Sequence, residues 1–157
     1  MSSVIRALSY SARVAVVLCV ALAGTGCIGP NARIGGNAMS PTLNNGERWP
    51  ITRIVDRVER GDIVVFYYPR DQSKSFAKRV IGLPGERITI RLGEVSVDGR
   101  RLDETYVATA NRSAEDFEVA VQTDEFFLMG DNRRNSSDSR HWGAVPKALI
   151  WAKVVLP

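Results

Sequence analysis

Lys78-Arg79-Val80-Ile81-Gly82-Leu83-Pro84-Gly85-Glu86 sets two basic side chains directly ahead of an apolar pair and a Gly-Leu-Pro-Gly turn. Phe76, Val80 and Ile81 predict a strand, which Gly82, Pro84 and Gly85 bring to an end. Lys78 therefore falls on a strand among mostly apolar neighbours. An ammonium group there loses hydration, and desolvation favours the neutral amine, which is a general base. An isolated strand lysine more commonly packs its stem and extends its head to water. What Lys78 means thus depends on what the rest of the chain places around it.

Working outward, the chain has 157 residues, enough for one domain with a sizeable core. Hydrophobic residues at 45% and charged residues at 24% are a globular balance. The net charge of +4 is spread through interleaved acids and bases. No basic block with aromatics between is present, which argues against nucleic acid as a partner, while a mild positive excess suits a surface close to anionic lipid. The two cysteines, Cys19 and Cys27, both precede the body, so the body has neither a disulfide framework nor a cysteine metal site. A single histidine, His141, excludes a histidine-rich metal site, and no cofactor is implied.

Residues 1–32 predict an N-terminal membrane segment, and residues 33–157 the working domain. Arg6 and Arg13 precede the apolar run Val14 to Ala23, and no further charge occurs before Arg33. The run has the length of a signal-peptide h-region, whereas the whole uncharged span Val14 to Ala32 is long enough to cross a bilayer. Ala23-Gly24-Thr25-Gly26-Cys27 is also a loose lipobox, in which Cys27 would carry lipid. Both anchors leave the basic flank in the cytoplasm and the body on the extracytoplasmic side of the cytoplasmic membrane.

The body reads as all-β with one continuous core. Strands are expected at Arg48–Ile54, Asp62–Tyr68, Ser75–Leu83, Arg87–Arg91, Glu94–Val97, Glu118–Val121, Glu125–Met129 and Ala148–Val155. Turn formers such as Asn44-Asn45-Gly46, Arg60-Gly61-Asp62 and Asp98-Gly99 separate most of them. Residues 103–117 are polar and aperiodic and read as a long loop.

Three stretches carry a resemblance: Gly36-Asn37-Ala38-Met39-Ser40-Pro41-Thr42-Leu43, Ser75 to Glu86, and the run Gly130 to Gly143, GDNRRNSSDSRHWG. As a set they resemble the bacterial type I signal peptidases, membrane-bound serine endopeptidases that remove signal peptides from exported preproteins. Gly61 to Phe66 matches a fourth block, and the likeness covers about residues 34 to 155. It implies the family's β-sheet core without its largest inserted domain, since only Arg87 to Met129 separates the second and third blocks.

The resemblance implies a serine–lysine dyad, in which a neutral lysine takes the proton of an attacking serine. Lys78 matches the base, whose pKa must then fall from about 10.4 towards neutrality. Ser136 matches the serine that hydrogen-bonds and orients the lysine amine. Asp138, Arg140 and Arg79 match charged braces of the site. Arg134 stands where many members carry an acid. Residues that line shallow pockets for small substrate side chains fall on Ile34, Met39, Leu43, Phe76 and Ala77, for each of which ordinary core packing is the competing reading. The expected partners are signal peptides and membrane lipid.

The nucleophile position departs from the pattern. The family has Ser-Met-x-Pro-Thr-Leu, and this chain has Ala38-Met39-Ser40-Pro41-Thr42-Leu43. Alanine has no attacking group, although its backbone N–H remains as an oxyanion donor. The family's additional side-chain donor, two residues earlier, is Gly36 here and is missing. Ser40 is an unsuitable substitute: Pro41 favours an extended Ser40, and in an extended segment residues 38 and 40 lie about 6.6 Å apart. His141 is expected to face solvent rather than join a triad. Two readings stay open: an endopeptidase whose nucleophilic serine is replaced, and a catalytically inactive member that binds signal peptides or regulates an active peptidase.

Overall fold

The computed structural model describes residues 30–53 and 55–157. The expected anchor, including Val14–Ala23 and Cys27, lies outside the described residues up to Gly29. Among those described, no helix is long and apolar enough to cross a membrane.

Eleven strands follow in chain order: β1 (Asn31–Arg33), β2 (Arg48–Thr52), β3 (Ile63–Tyr68), β4 (Asp71–Gly82), β5 (Arg87–Arg91), β6 (Glu94–Val97), β7 (Arg100–Arg101), β8 (Phe117–Ala120), β9 (Glu125–Met129), β10 (Val145–Pro146) and β11 (Ile150–Val154). Among the described residues the one α-helix, α1 (Ser139–Trp142), lies between β9 and β10, and three single 3-10 turns accompany it. The strands form a seven-stranded sheet, ordered β1-β2-β11-β3-β4-β9-β10, and a four-stranded sheet, ordered β7-β6-β5-β8. β1 pairs Asn31 with Pro50 and Ala32 with Trp49, so the folded body takes in the last residues of the segment read as anchor.

All eight expected strands are present: Arg87–Arg91, Glu94–Val97 and Glu125–Met129 match end to end, and ends of the other five move by up to four residues. The sequence reading missed β1, β7 and β10, which have three residues or fewer and show no alternation to detect. The core differs from the single one expected. Alternation along β3 sends Ile63 and Val65 to one face of the large sheet and Val64 and Phe66 to the other. The first cluster also takes Met39, Leu43, Ile51 and Val154, and the second takes Val80, Leu128, Val145 and Ile150. A third joins the sheets through Ile81, Ile88, Ile90, Val95, Phe127 and Met129. Gly82 lets β4 turn towards β5: a Cβ there would come within 2.9 Å of both Ile88 and Phe127 side-chain atoms.

The three family-like stretches meet at the middle of the large sheet. β4 carries Lys78 opposite Val64 and Arg79 opposite Ile63 of β3, and Arg79 opposite Met129 of β9. β9 runs directly into Gly130, so the run beginning there emerges beside β4. The chain between β1 and β2 supplies Ala38.

Candidate active site

Residues 36–43 form a turn, so Ala38 to Ser40 is not the extended segment expected. The Ser40 N–H donates to the Asn37 carbonyl at 3.2 Å and the Leu43 N–H to the Met39 carbonyl at 2.9 Å. Pro41 biases Ser40 towards extended backbone, but the buried Met39 and Leu43 side chains pull the backbone round into the core. Ser40 is thereby turned outward, and its hydroxyl donates to Asn44 Oδ1 at 2.7 Å. The turn replaces the extended backbone that would have kept residues 38 and 40 apart along a strand. The hydroxyl is nonetheless engaged elsewhere, and Ser40 does not line the cleft described below.

Opposite this turn sits the segment from Gly130. The Asn132 N–H donates to the Ala38 carbonyl at 3.0 Å, and Asn132 Nδ2 to the Asn37 carbonyl at 3.2 Å. Gly130 is obligatory for the approach, because a Cβ there would collide with Ser136 Oγ and with the Ala38 carbonyl oxygen. Asp131 is wholly buried and accepts from Arg79 Nε at 2.8 Å, Arg79 Nη2 at 2.6 Å and Thr42 Oγ1 at 2.6 Å. Arg79 also donates to the Gly61 carbonyl at 2.8 Å and stacks 4.0 Å from the Tyr106 ring centre.

A second arginine–carboxylate pair lies beside the first. Asp138 accepts from Arg140 Nε at 2.8 Å, Arg140 Nη2 at 2.9 Å and the Gly130 N–H at 3.1 Å. Burial alone would raise the Asp138 carboxyl, but the Arg140 guanidinium and the Gly130 amide outweigh it and hold the carboxyl below its usual 3.8. Asp138 also caps α1, whose His141 is exposed and caps in return: the Asp138 N–H donates to His141 Nδ1 at 3.5 Å. His141 therefore belongs to the helix start and not to a triad. Arg134 is exposed on the same loop. A third buried pair, Arg133 with Glu104, was not anticipated from sequence.

These pairs isolate Lys78. Among the described residues, the buried charged side chains are four basic (Lys78, Arg79, Arg133, Arg140) and three acidic (Glu104, Asp131, Asp138). Each acid is engaged by an arginine, and Lys78, 4% exposed, has no ion-pair partner. A buried ammonium without a counter-ion is costly. Desolvation accordingly lowers the Lys78 pKa from its usual 10.5, against the opposing pull of Asp138 and Asp131. Its Nζ lies 5.6 Å from the centre of the Phe76 ring.

The hydrogen bond expected between Lys78 and Ser136 is not formed. Ser136 is buried on Gly130, and its Oγ has no hydrogen-bond partner. The site thus holds a buried hydroxyl without a hydrogen-bond partner beside an amine without a counter-ion.

Lys78 opens onto a cleft of about 430 Å³. Ala38, Ile34, Met39, Phe76 and Ala77 line it, together with Gly35, Gly36, Val65 and Trp151. Leu43 is not among the lining residues. It has no exposure and packs in the core, because the turn directs it inward. The Ala38 backbone N–H donates no hydrogen bond among the described residues, while the Gly36 N–H is taken by Asn45 Oδ1 at 2.9 Å. The cleft therefore offers an uncompensated N–H, a dry amine and a small apolar floor. At residue 38 the lining offers only a methyl group and backbone. Among the described residues no cluster of metal-binding side chains occurs.

Residues 7–157 match the family described as "Signal peptidase, peptidase S26". The chain is similar to a probable signal peptidase I-2 of Synechocystis, with 43% identity over 74% of this chain and 57% of that protein. It is also similar to signal peptidase I U of Bacillus subtilis, with 35% identity over 72% of this chain and 66% of that one. The chain thus spans less than two thirds of the length of these relatives, 57% of one and 66% of the other. A crystal structure of a signal peptidase I from Enterococcus faecalis superposes with a TM-score of 0.58 at 34% identity, covering 65% of this chain and 99% of that one.

Proposed function

The chain belongs to the signal peptidase, peptidase S26 family, and from that premise we propose that it takes the signal peptides of exported preproteins into the Lys78–Ala38 cleft, as a type I signal peptidase whose nucleophile position is Ala38. The observation that carries this is Lys78, a buried amine with no counter-ion at the mouth of a cleft with a small apolar floor. The body acts on the extracytoplasmic side of the cytoplasmic membrane, anchored through the span Val14–Ala32 or through lipid on Cys27.

In the complete dyad a serine Oγ at position 38 attacks the scissile carbonyl and its proton passes to the neutral Lys78 amine. The carbonyl oxygen becomes an oxyanion facing the residue-38 N–H. Lys78 then gives the proton to the departing amine, leaving an ester that water hydrolyses with Lys78 again as base. Burial prepares Lys78 by making its proton easier to lose, without a histidine. Arg79–Asp131 and Arg140–Asp138 hold the strand and loop on either side. Ile34, Met39, Phe76 and Ala77 admit small side chains and exclude bulky ones.

The chain as it stands lacks the first step, and Ala38 favours a second reading: a silent member that binds signal peptides or regulates an active peptidase. Both readings require binding. A fluorescent signal peptide with alanine one and three residues before its cleavage site should bind the full chain in detergent or lipid. Ala77→Trp, which fills the cleft, should weaken that binding by about tenfold or more. Equal binding by both proteins would overturn the assignment of the cleft.

A further inference from the structure

The chain between β7 and β8 reads as a polar connection, yet its first turn is tied into the site. Glu104 is 5% exposed, and its carboxylate accepts from Arg133 Nη2 at 2.5 Å and Arg133 Nη1 at 3.3 Å. Tyr106 donates its hydroxyl to the same carboxylate at 3.1 Å and lies with its ring against the Arg79 guanidinium. The Val107 N–H closes the turn on the Glu104 carbonyl at 3.0 Å, and the Val107 side chain is buried. One short turn therefore meets two of the three buried arginines.

Those arginines act on two consecutive residues, directly ahead of Asn132. Arg133 Nε donates to the Gly130 carbonyl at 2.9 Å. Arg79 binds the Asp131 carboxylate. Asn132, next in the chain, gives its N–H to the Ala38 carbonyl. Without Glu104, Arg133 would be a buried cation whose remaining hydrogen bond is to the Gly130 carbonyl, and buried unpaired charge drives local rearrangement. Neither Glu104 nor Tyr106 lines the cleft, so neither touches a bound peptide there.

We infer that the Glu104–Val107 turn is a positioning element that fixes Gly130–Asn132 against the Ala38 backbone. It acts through Arg133 and Arg79, and a displacement of even 1 Å at such a site is costly to a reaction that depends on alignment. The inference deepens the endopeptidase reading and rests on it for its kinetic consequence alone.

Hydrogen exchange of the full chain tests the placement without any activity. In Glu104→Gln the Asn132 amide should exchange about tenfold faster or more, while the amides of β3 and β11 stay within about twofold of the parent. Glu104→Asp, which keeps the charge, should show a smaller effect, and Tyr106→Leu an effect in the same place. An unchanged Asn132 amide would overturn the inference. So would β3 and β11 accelerating by the same factor as Asn132, since that is general loosening of the fold. In an Ala38→Ser background, Glu104→Gln should lower kcat about tenfold with KM within about twofold, and a change in KM alone would also overturn it. Absence of any cleavage by Ala38→Ser would count against the endopeptidase reading, and the exchange result would still decide the inference.

Discussion

Asp131→Ala removes the acceptor of three short hydrogen bonds from a group with no exposure, two from Arg79 and one from Thr42. Arg79 would keep the Gly61 carbonyl and the Tyr106 ring and lose its counter-ion. Breaking a buried pair by deleting one partner costs about 3–5 kcal/mol, because the remaining charge is left dry. For a domain of this size that corresponds to a fall of about 10–20 °C in Tm. Replacing both partners by apolar residues of similar volume, Arg79→Met with Asp131→Leu, leaves no charge behind and should be far milder than the sum of the single changes. Urea unfolding of the parent, Arg79→Met, Asp131→Leu and the double change, with unchanged m-values, gives the coupling directly, and Asp131→Ala is measured beside them. A loss below about 1 kcal/mol for Asp131→Ala, or additive single and double changes, would refute the view that this pair is the dry electrostatic brace of the site.

Lys78→Met should stabilise the protein at pH 7, since it removes a buried ammonium with no counter-ion. The folded pKa of Lys78 lies below 10.5, so the destabilisation is fully present at low pH and disappears as pH rises towards 10.5. The two melting curves should therefore converge in alkali, and a less stable Lys78→Met at pH 7 would contradict the charge count. Asp138 has the opposite consequence: its folded pKa is depressed below 3.8, so its contribution is complete above that pH and is lost as pH falls below it. Asp138→Asn should flatten the acid limb of a stability-against-pH curve, and an unaltered limb would count against the Arg140 pairing. Gly130→Ala should cost about 1–3 kcal/mol, because its Cβ meets Ser136 and the Ala38 carbonyl; a neutral effect in a thermal melt would show that the loop can move aside.

The parts of this protein readable from its residues are those with local causes. Alternating apolar residues and Gly, Pro and Asn turns gave eight strands, and the dryness of Lys78 followed from its place on one of them. Strands of two or three residues carry no alternation, so β1, β7 and β10 left no trace. Leu43 was a pocket candidate by resemblance and is core, because a turn rather than a strand precedes it. That turn depends on Met39 and Leu43 finding the core, a tertiary effect that the local preference before Pro41 does not contain. Glu104 sits in a polar, aperiodic stretch, and its partner Arg133 is distant in sequence. The same polarity that marked the stretch as a loop conceals the one carboxylate that is buried. The absent Lys78–Ser136 hydrogen bond is a matter of ångströms, beyond the reach of spacing arguments.

The most direct test is the cleavage rate of a signal-peptide substrate, with lipid or detergent present, by the chain as it stands, by Ala38→Ser and by Ala38→Ser with Lys78→Ala. The hydroxyl restored in Ala38→Ser enters a cleft already furnished with Lys78 and the residue-38 N–H. Cleavage should therefore rise strongly from the residual level that binding and an oxyanion donor alone provide, which in one serine protease stripped of its triad was about 10³–10⁴ over water. Lys78→Ala should abolish that gain. No gain from Ala38→Ser, or a gain that survives the loss of Lys78, would contradict the account.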